Sequence, residues 1–70
     1  MSHYVSFLFD ARDPRRVNAL TSAANLDAAK AGAQTLHMAF GLEAGWGEFT
    51  GWKGPQYREP IIDIHGRTKP

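Results

Sequence analysis

Alternating hydrophobic and polar positions near the N-terminus predict a β-strand. Val5, Phe7 and Phe9 fall on one side of this strand, whereas Tyr4 and Leu8 fall on the other. One side is therefore strongly apolar, and the opposite side is only weakly polar.

A turn signal and a second alternating run follow the first strand. Asp13-Pro14 favours a turn, because proline fixes its φ angle and cannot donate a hydrogen bond to a strand. Residues 16–22 predict a second strand that pairs with the first as a hairpin. The letters VNALTSAAN also allow an earlier start of the helix that follows.

Helical spacing of apolar positions begins after Asn25. Asn25 is a preferred N-cap residue, and Gly41 is a preferred helix stop. One stripe at helical spacing is expected to face the sheet. It consists of Leu26, Ala29, Ala33, Leu36 and Phe40.

The opposite side of this helix carries a stripe of small residues. Between residues 26 and 42 only Asp27, Lys30 and His37 are ionisable, which is little charge for a solvated helix face. Small side chains let another backbone approach closely, so we expect this stripe to form a homo-oligomer, with a two-fold dimer favoured. The self-association residues are Ala28, Gly32, Thr35 and Ala39.

The segment GWGEFTGWKG, residues 45–54, predicts a third strand that glycine weakens and that can carry a bulge. Strict alternation places Trp46 and Trp52 together on an exposed face. It places Phe49 on the other face, where the helix would cover it. A loop with two prolines follows, then IIDIHG, which predicts a short fourth strand or an edge segment, and then RTKP, which predicts a tail.

These elements predict one α+β domain over residues 1–70. We expect a small antiparallel sheet in the order β-β-α-β, with or without a fourth strand, and one helix on one face of the sheet. The folded core is expected over residues 4–53. Residues 54–70 are expected to form a loop and an edge strand or tail.

Composition narrows the class of protein. Seventy residues make one small domain, and 43% hydrophobic residues exceed what a disordered chain contains. Without cysteine there is no disulfide and no zinc-thiolate site. The start, MSHYVSFLFD, lacks the features of a signal peptide or a membrane span, so we expect a cytoplasmic protein that is not bound to a membrane. We also expect no cofactor and no bound metal.

Catalysis is the weakest of three functional hypotheses. Asp63 and His65 are two residues apart on a predicted strand, so both can face one way as a metal-binding or acid/base pair. An exposed polar face near the end of the chain is the favoured interpretation of the same pair. The three histidines also lack the spacing of metal ligands on a helix.

Binding of single-stranded nucleic acid is the second hypothesis. Arginines cluster at the predicted hairpin tip, and aromatic residues that can stack on bases occur later in the chain. However, acidic residues interrupt the same segments, and the net charge is only +1.

Stoichiometric protein binding by a non-enzymatic module is the favoured hypothesis. In such interfaces aromatic anchors fill pockets, and charged residues at the rim set the register. The predicted anchors are Trp46, Trp52 and Tyr57, and the predicted rim is Arg12, Arg15 and Arg16.

The order strand, turn, strand, capped helix, glycine and aromatic strand resembles very small phage-encoded accessory proteins of the type that inhibits a host RNA polymerase. The likeness spans residues 4–50 and is carried by YVSFLFD, VNALTSAANLDAAKAGA and GWGEF. It is architectural, so no functional residue is carried across. The resemblance implies a small non-enzymatic inhibitor that binds a host macromolecule and blocks it.

Overall fold

Four antiparallel strands and one helix form the fold in the computed structural model, which describes residues 3–13 and 15–68. The strands are β1 (His3–Phe9), β2 (Val17–Ala23), β3 (Ala44–Lys53) and β4 (Glu59–Arg67). The helix α1 (Leu26–Phe40) lies between β2 and β3 in the chain, and a short 3-10 turn (Pro55–Tyr57) precedes β4. The sheet order is β2-β1-β3-β4, and α1 packs against the sheet. The predicted α+β class is confirmed.

The ends of α1 are where the sequence predicts them. The Asn25 side chain accepts a hydrogen bond from the backbone N–H of Ala28 at 2.8 Å. At the other end Gly41 adopts a left-handed φ of 67°, and its N–H donates to the carbonyl of His37. Within the predicted sheet-facing stripe Ala29 and Ala33 are fully buried, whereas Phe40, the last residue of the helix, is 60% exposed.

The core is divided between the two faces of the sheet. On the face that α1 covers, Leu8, Ala33 and Ala44 form a buried cluster, with Leu36 and Trp46 packed against it. On the other face, Val5, Phe7 and Phe9 are buried beneath Val17, Phe49 and Ile62. The expectation that α1 covers Phe49 is therefore wrong, because Phe49 belongs to the face without a helix.

Small side chains explain which face α1 covers. A Cβ added at Gly32 would lie 2.7 Å from Ser6 Oγ, so the backbone of α1 comes very close to β1 at this point. Ser6 is itself only 1% exposed. Helix and sheet thus meet through glycine, alanine and serine, and the bulkier phenylalanines of β1 point the other way.

Bulges in the β3–β4 ladder change the alternation of side chains. Phe49 pairs with Ile62 and Gly51 with Ile61, so Thr50 is an extra residue on β3. An extra residue moves every following side chain to the opposite face. Strict alternation over residues 45–54 is therefore wrong, and Trp52 lies on the face opposite to Trp46.

A second bulge lies on β4, where His65 is the extra residue between Ile64 and Gly66. Opposite it, the backbone of β4 comes so close to Gly47 that a Cβ there would overlap the carbonyl of Asp63. Glycine at position 47 therefore permits the local approach of the two strands.

The C-terminal segment belongs to the fold. β4 pairs with β3 over nearly its whole length, and Thr68 adds a hydrogen bond from its N–H to the carbonyl of Ala44 at 2.8 Å. A Cβ at Gly66 would overlap the ring of Trp46, so this tryptophan packs directly on β4. Residues 59–67 form the edge strand β4, and Ile62 of this strand packs against the Val5, Phe7 and Phe9 cluster. Lys69 and Pro70, the end of the predicted tail, lie outside the described residues.

Candidate functional site

The face of the sheet opposite α1, here called the helix-free face, leaves large apolar side chains in contact with solvent. Leu20 on β2 is 36% exposed, Trp52 on β3 is 48% exposed and Ile64 on β4 is 42% exposed. Partly buried apolar residues lie between them above the Val5, Phe7 and Phe9 cluster. These residues are Val17, Phe49, Pro60 and Ile62.

A cavity of about 740 Å³ runs across this face between two edge strands that are not neighbours in the sheet. β2 begins beside Phe9 and β4 begins beside Lys53, at diagonally opposite corners. A twisted sheet raises such corners toward the same face, so the helix-free face has the shape of a saddle. Ile62 and Ile64 line the cavity together with Val17.

Charged side chains of both signs surround the cavity. They come from the β1–β2 loop, from the end of β3 and from the start of β4. The basic residues are Arg15, Arg16, Lys53 and Arg58, and the acidic residues are Asp10, Asp13 and Glu59.

Arg15 and Asp13 form an ion pair in the β1–β2 loop. Asp13 Oδ1 accepts hydrogen bonds from the backbone N–H of Arg15 at 3.1 Å and from its Nε at 3.2 Å. The backbone hydrogen bond first, and the side-chain hydrogen bond second, lower the pKa of Asp13 below its usual value. Both groups are close to solvent, so the pair shapes the loop more than it stabilises the fold.

The structure separates the predicted aromatic anchors. Trp52 is exposed on the helix-free face, where its ring makes an edge contact with Phe49 at 5.2 Å between centroids. Tyr57, in the 3-10 turn, is 76% exposed. The prediction that Trp46 is an exposed anchor is wrong. Trp46 lies under α1, packs on Gly66 and has Lys30 Nζ 5.7 Å from its ring centroid.

The predicted arginine rim is partly assembled. Arg15 and Arg16 line the cavity, and Arg12, also exposed, is absent from its lining. Lys53 and Arg58 come from the far end of the β3–β4 hairpin and join the two arginines. The sequence alone does not show that these residues meet at one cavity, because it is the twist of the sheet that brings the two corners together.

Sequence reasoning also missed Leu20 and Ile64 as surface residues. Both lie in alternating apolar segments that indicate strands, and such segments are usually assigned to a core. The signal that could have identified them is that a four-stranded sheet has two faces, and one helix covers only one of them.

The predicted self-association stripe does not form one outward surface. Ala28, Thr35 and Ala39 are exposed, but Gly32 is directed at Ser6 on the sheet. A residue that is already in contact with β1 cannot admit the backbone of another helix. Gly32 is therefore removed from the self-association surface.

The structure brings Asp63 and His65 close to each other and to Glu48. His65 Nε2 lies 3.4 Å from Glu48 Oε1 and 3.8 Å from Asp63 Oδ2, on the side of the sheet that carries α1. Within residues 3–13 and 15–68, no group of three histidine, cysteine or acidic side chains has a geometry that holds a metal ion. Over the same ranges, no helix has the length and apolarity to cross a membrane.

Comparison with protein-family models, with curated proteins and with solved structures finds no significant match to this chain.

Proposed function

We propose that this chain is a non-enzymatic protein-binding domain and that the helix-free face is its docking surface. The observation that carries the proposal is the exposure of Leu20, Trp52 and Ile64 on one uncovered face. Contiguous exposed apolar surface with a polar rim marks binding sites in small proteins. Its mode of action is stoichiometric occlusion, in which the domain binds a protein surface and blocks it.

The individual side chains support this proposal. Trp52 offers a large ring at the surface, and tryptophan, tyrosine and arginine are enriched among the few residues that dominate the binding energy of protein interfaces. Arg15 and Arg16 stand at the raised corner beside the cavity, where they can pair with charges on a partner. Tyr57 lies in the turn before β4 and is available as a second anchor.

A photo-crosslinking amino acid at position 64 tests the proposal in the cells that make the protein. The matched control carries the same group at Gln34, an exposed position on α1. We expect covalent adducts with a protein from position 64 and few or none from position 34. No adduct at position 64, or equal yields at both positions, would contradict the docking face.

Single-strand nucleic acid binding is a second candidate function. It is favoured by four cationic side chains around the cavity on the helix-free face, where Trp52 is also exposed. They are Arg15, Arg16, Lys53 and Arg58. Such binding requires affinity for a single-stranded oligonucleotide that falls steeply with salt and is lost in Trp52→Ala. Affinity that is independent of salt, or that survives Trp52→Ala, would exclude this candidate.

A further inference from the structure

We propose that a second copy of this chain covers the helix-free face, so that two sheets stack about a two-fold axis and both helices lie on the outside. This inference rests on the proposed function, because it names the occupant of the same docking face. It replaces a dimer through the helix with a dimer through the sheet.

The first argument is the accessible surface of the isolated domain. The relation between mass and surface for folded monomers gives roughly 4,300 Å² for a chain of this mass. This chain of 7.7 kDa exposes 4993 Å². The excess of about 700 Å² is close to the ~800 Å² that each partner buries in a standard interface.

The second argument is the size of the uncovered face. The Cα atoms span 32 × 30 × 15 Å, so the domain is a slab with two broad faces. α1 covers one broad face, and the other is the helix-free face. An interface of standard size therefore fits on this face without any rearrangement of the domain.

The third argument is shape. Two copies related by a two-fold axis present the same patch to each other, so that patch must be complementary to itself. A two-fold axis in the plane of the sheet, along or across the strands, superposes a saddle on itself. Two copies of this twisted face can thus stack at the ~10 Å spacing of packed sheets, with Leu20, Trp52 and Ile64 in the shared interior.

The fourth argument is charge. The four basic and three acidic residues around the cavity nearly balance, and the whole chain carries a net charge of only +1. A face selected for a polyanion would carry one sign. A nearly neutral rim lets a copy of itself approach without strong repulsion.

Light scattering and sedimentation of the purified chain test the dimer, with Ile64→Lys and Leu20→Lys as disrupting variants. Each substitution places a charge in the proposed dry interface, at opposite edges of the face. The control is Met38→Lys, since Met38 is 83% exposed on α1. We expect a dimer for the unsubstituted chain and for Met38→Lys, and dissociation constants raised about a hundredfold in both disrupting variants.

Four outcomes would overturn the proposal. The first is that the unsubstituted chain proves to be a monomer at about a hundred micromolar, a concentration far above the dissociation constants of standard interfaces. The second is that the dimer persists in both Ile64→Lys and Leu20→Lys. The third is that Met38→Lys dissociates the dimer. The fourth is that the chain forms open-ended assemblies that grow with concentration, because a closed two-fold interface does not allow such growth.

A spin-label measurement keeps the test valid if a lysine variant fails to fold. The chain has no cysteine, so Gln34→Cys provides a single labelling site that leaves the helix-free face unaltered. Layers of about 10 Å each would separate the two helices by roughly 30 Å in the proposed dimer. Helices in direct contact would be only 8–10 Å apart by axis, and a short label distance would refute the sheet-mediated dimer.

The adduct at position 64 separates this inference from the proposed function. An adduct of twice the chain mass supports the helix-free face as a docking surface and the second copy as its occupant, and it counts against occlusion of a different protein by this face. An adduct with a different protein, together with a monomeric purified chain, overturns the second copy and leaves the docking face standing. If position 64 gives no adduct and the purified chain is monomeric, both proposals fail.

Discussion

One extra residue, Thr50, determines the side of the sheet on which Trp52 lies. Alternation over residues 45–54 predicts a strand correctly, but it also predicts that Trp46 and Trp52 share a face. A bulge depends on how the partner strand pairs, so the sequence of β3 alone does not specify it. Which residues of β3 share a face could therefore be predicted up to Phe49 and not beyond it, whereas the face that α1 covers was predicted wrongly.

Glycine at position 47 is required for space and not for backbone conformation. We expect Gly47→Ala to lower the free energy of unfolding by about 2–3 kcal/mol, because the new Cβ overlaps the carbonyl of Asp63. Gly41→Ala is the control, since its Cβ meets nothing within 4 Å and only the left-handed φ of 67° is unfavourable. Its expected loss is about 1 kcal/mol. Urea unfolding measures both, and equal losses would disprove the close approach of β4.

Close contact between α1 and β1 explains why the small-residue stripe of α1 does not form the outer surface that its spacing predicts. The pattern Ala28, Gly32, Thr35 and Ala39 suggested an outer face, but helix period alone does not show which flank of a stripe touches the sheet. Ser6, an apparently polar position of β1, is the residue that receives Gly32. Helix boundaries were predictable from capping residues, whereas the orientation of the helix depends on a contact between distant segments.

A double-mutant cycle measures this contact. Alanine is favoured over glycine in a helix by about 1 kcal/mol, but in Gly32→Ala the added Cβ would lie 2.7 Å from Ser6 Oγ. We expect Gly32→Ala to be destabilising by about 1 kcal/mol alone and neutral or stabilising in a Ser6→Ala background. Chemical denaturation of the four proteins gives the coupling. Additive effects would mean that Gly32 does not face Ser6.

β4 contributes to the core as an element, although IIDIHG predicted only a short strand or edge segment. We expect a chain that ends at residue 58 to lose cooperative unfolding, because it removes Gly66 from beneath Trp46 and Ile62 from beside Phe49. A chain that ends at residue 68 keeps β4 and the hydrogen bond from Thr68 to Ala44, and should unfold like the full chain. Circular dichroism during heating compares them. A cooperative transition in the shorter chain would restore residues 4–53 as a sufficient core.

At the scale of the whole molecule, the α+β class was predictable because each segment carries its own period and end signals. The two faces of the sheet were not, since they depend on the twist and on bulges in the β3–β4 ladder. The same two features create the candidate site. They turn Trp52 toward the helix-free face and raise the corners that carry Arg15 and Arg58 around one cavity.

A dimer through the helix-free face makes thermal stability depend on concentration. For two chains of 70 residues that unfold together, each tenfold rise in concentration should raise Tm by about 5 °C. Met38→Lys should retain this dependence, because its site is on α1. Ile64→Lys should unfold at a lower Tm than the unsubstituted dimer, and its Tm should stop changing with concentration below its raised dissociation constant. Calorimetry over a hundredfold range of concentration compares the three proteins, and a constant Tm for the unsubstituted chain would show that the helix-free face is open to solvent in the native state.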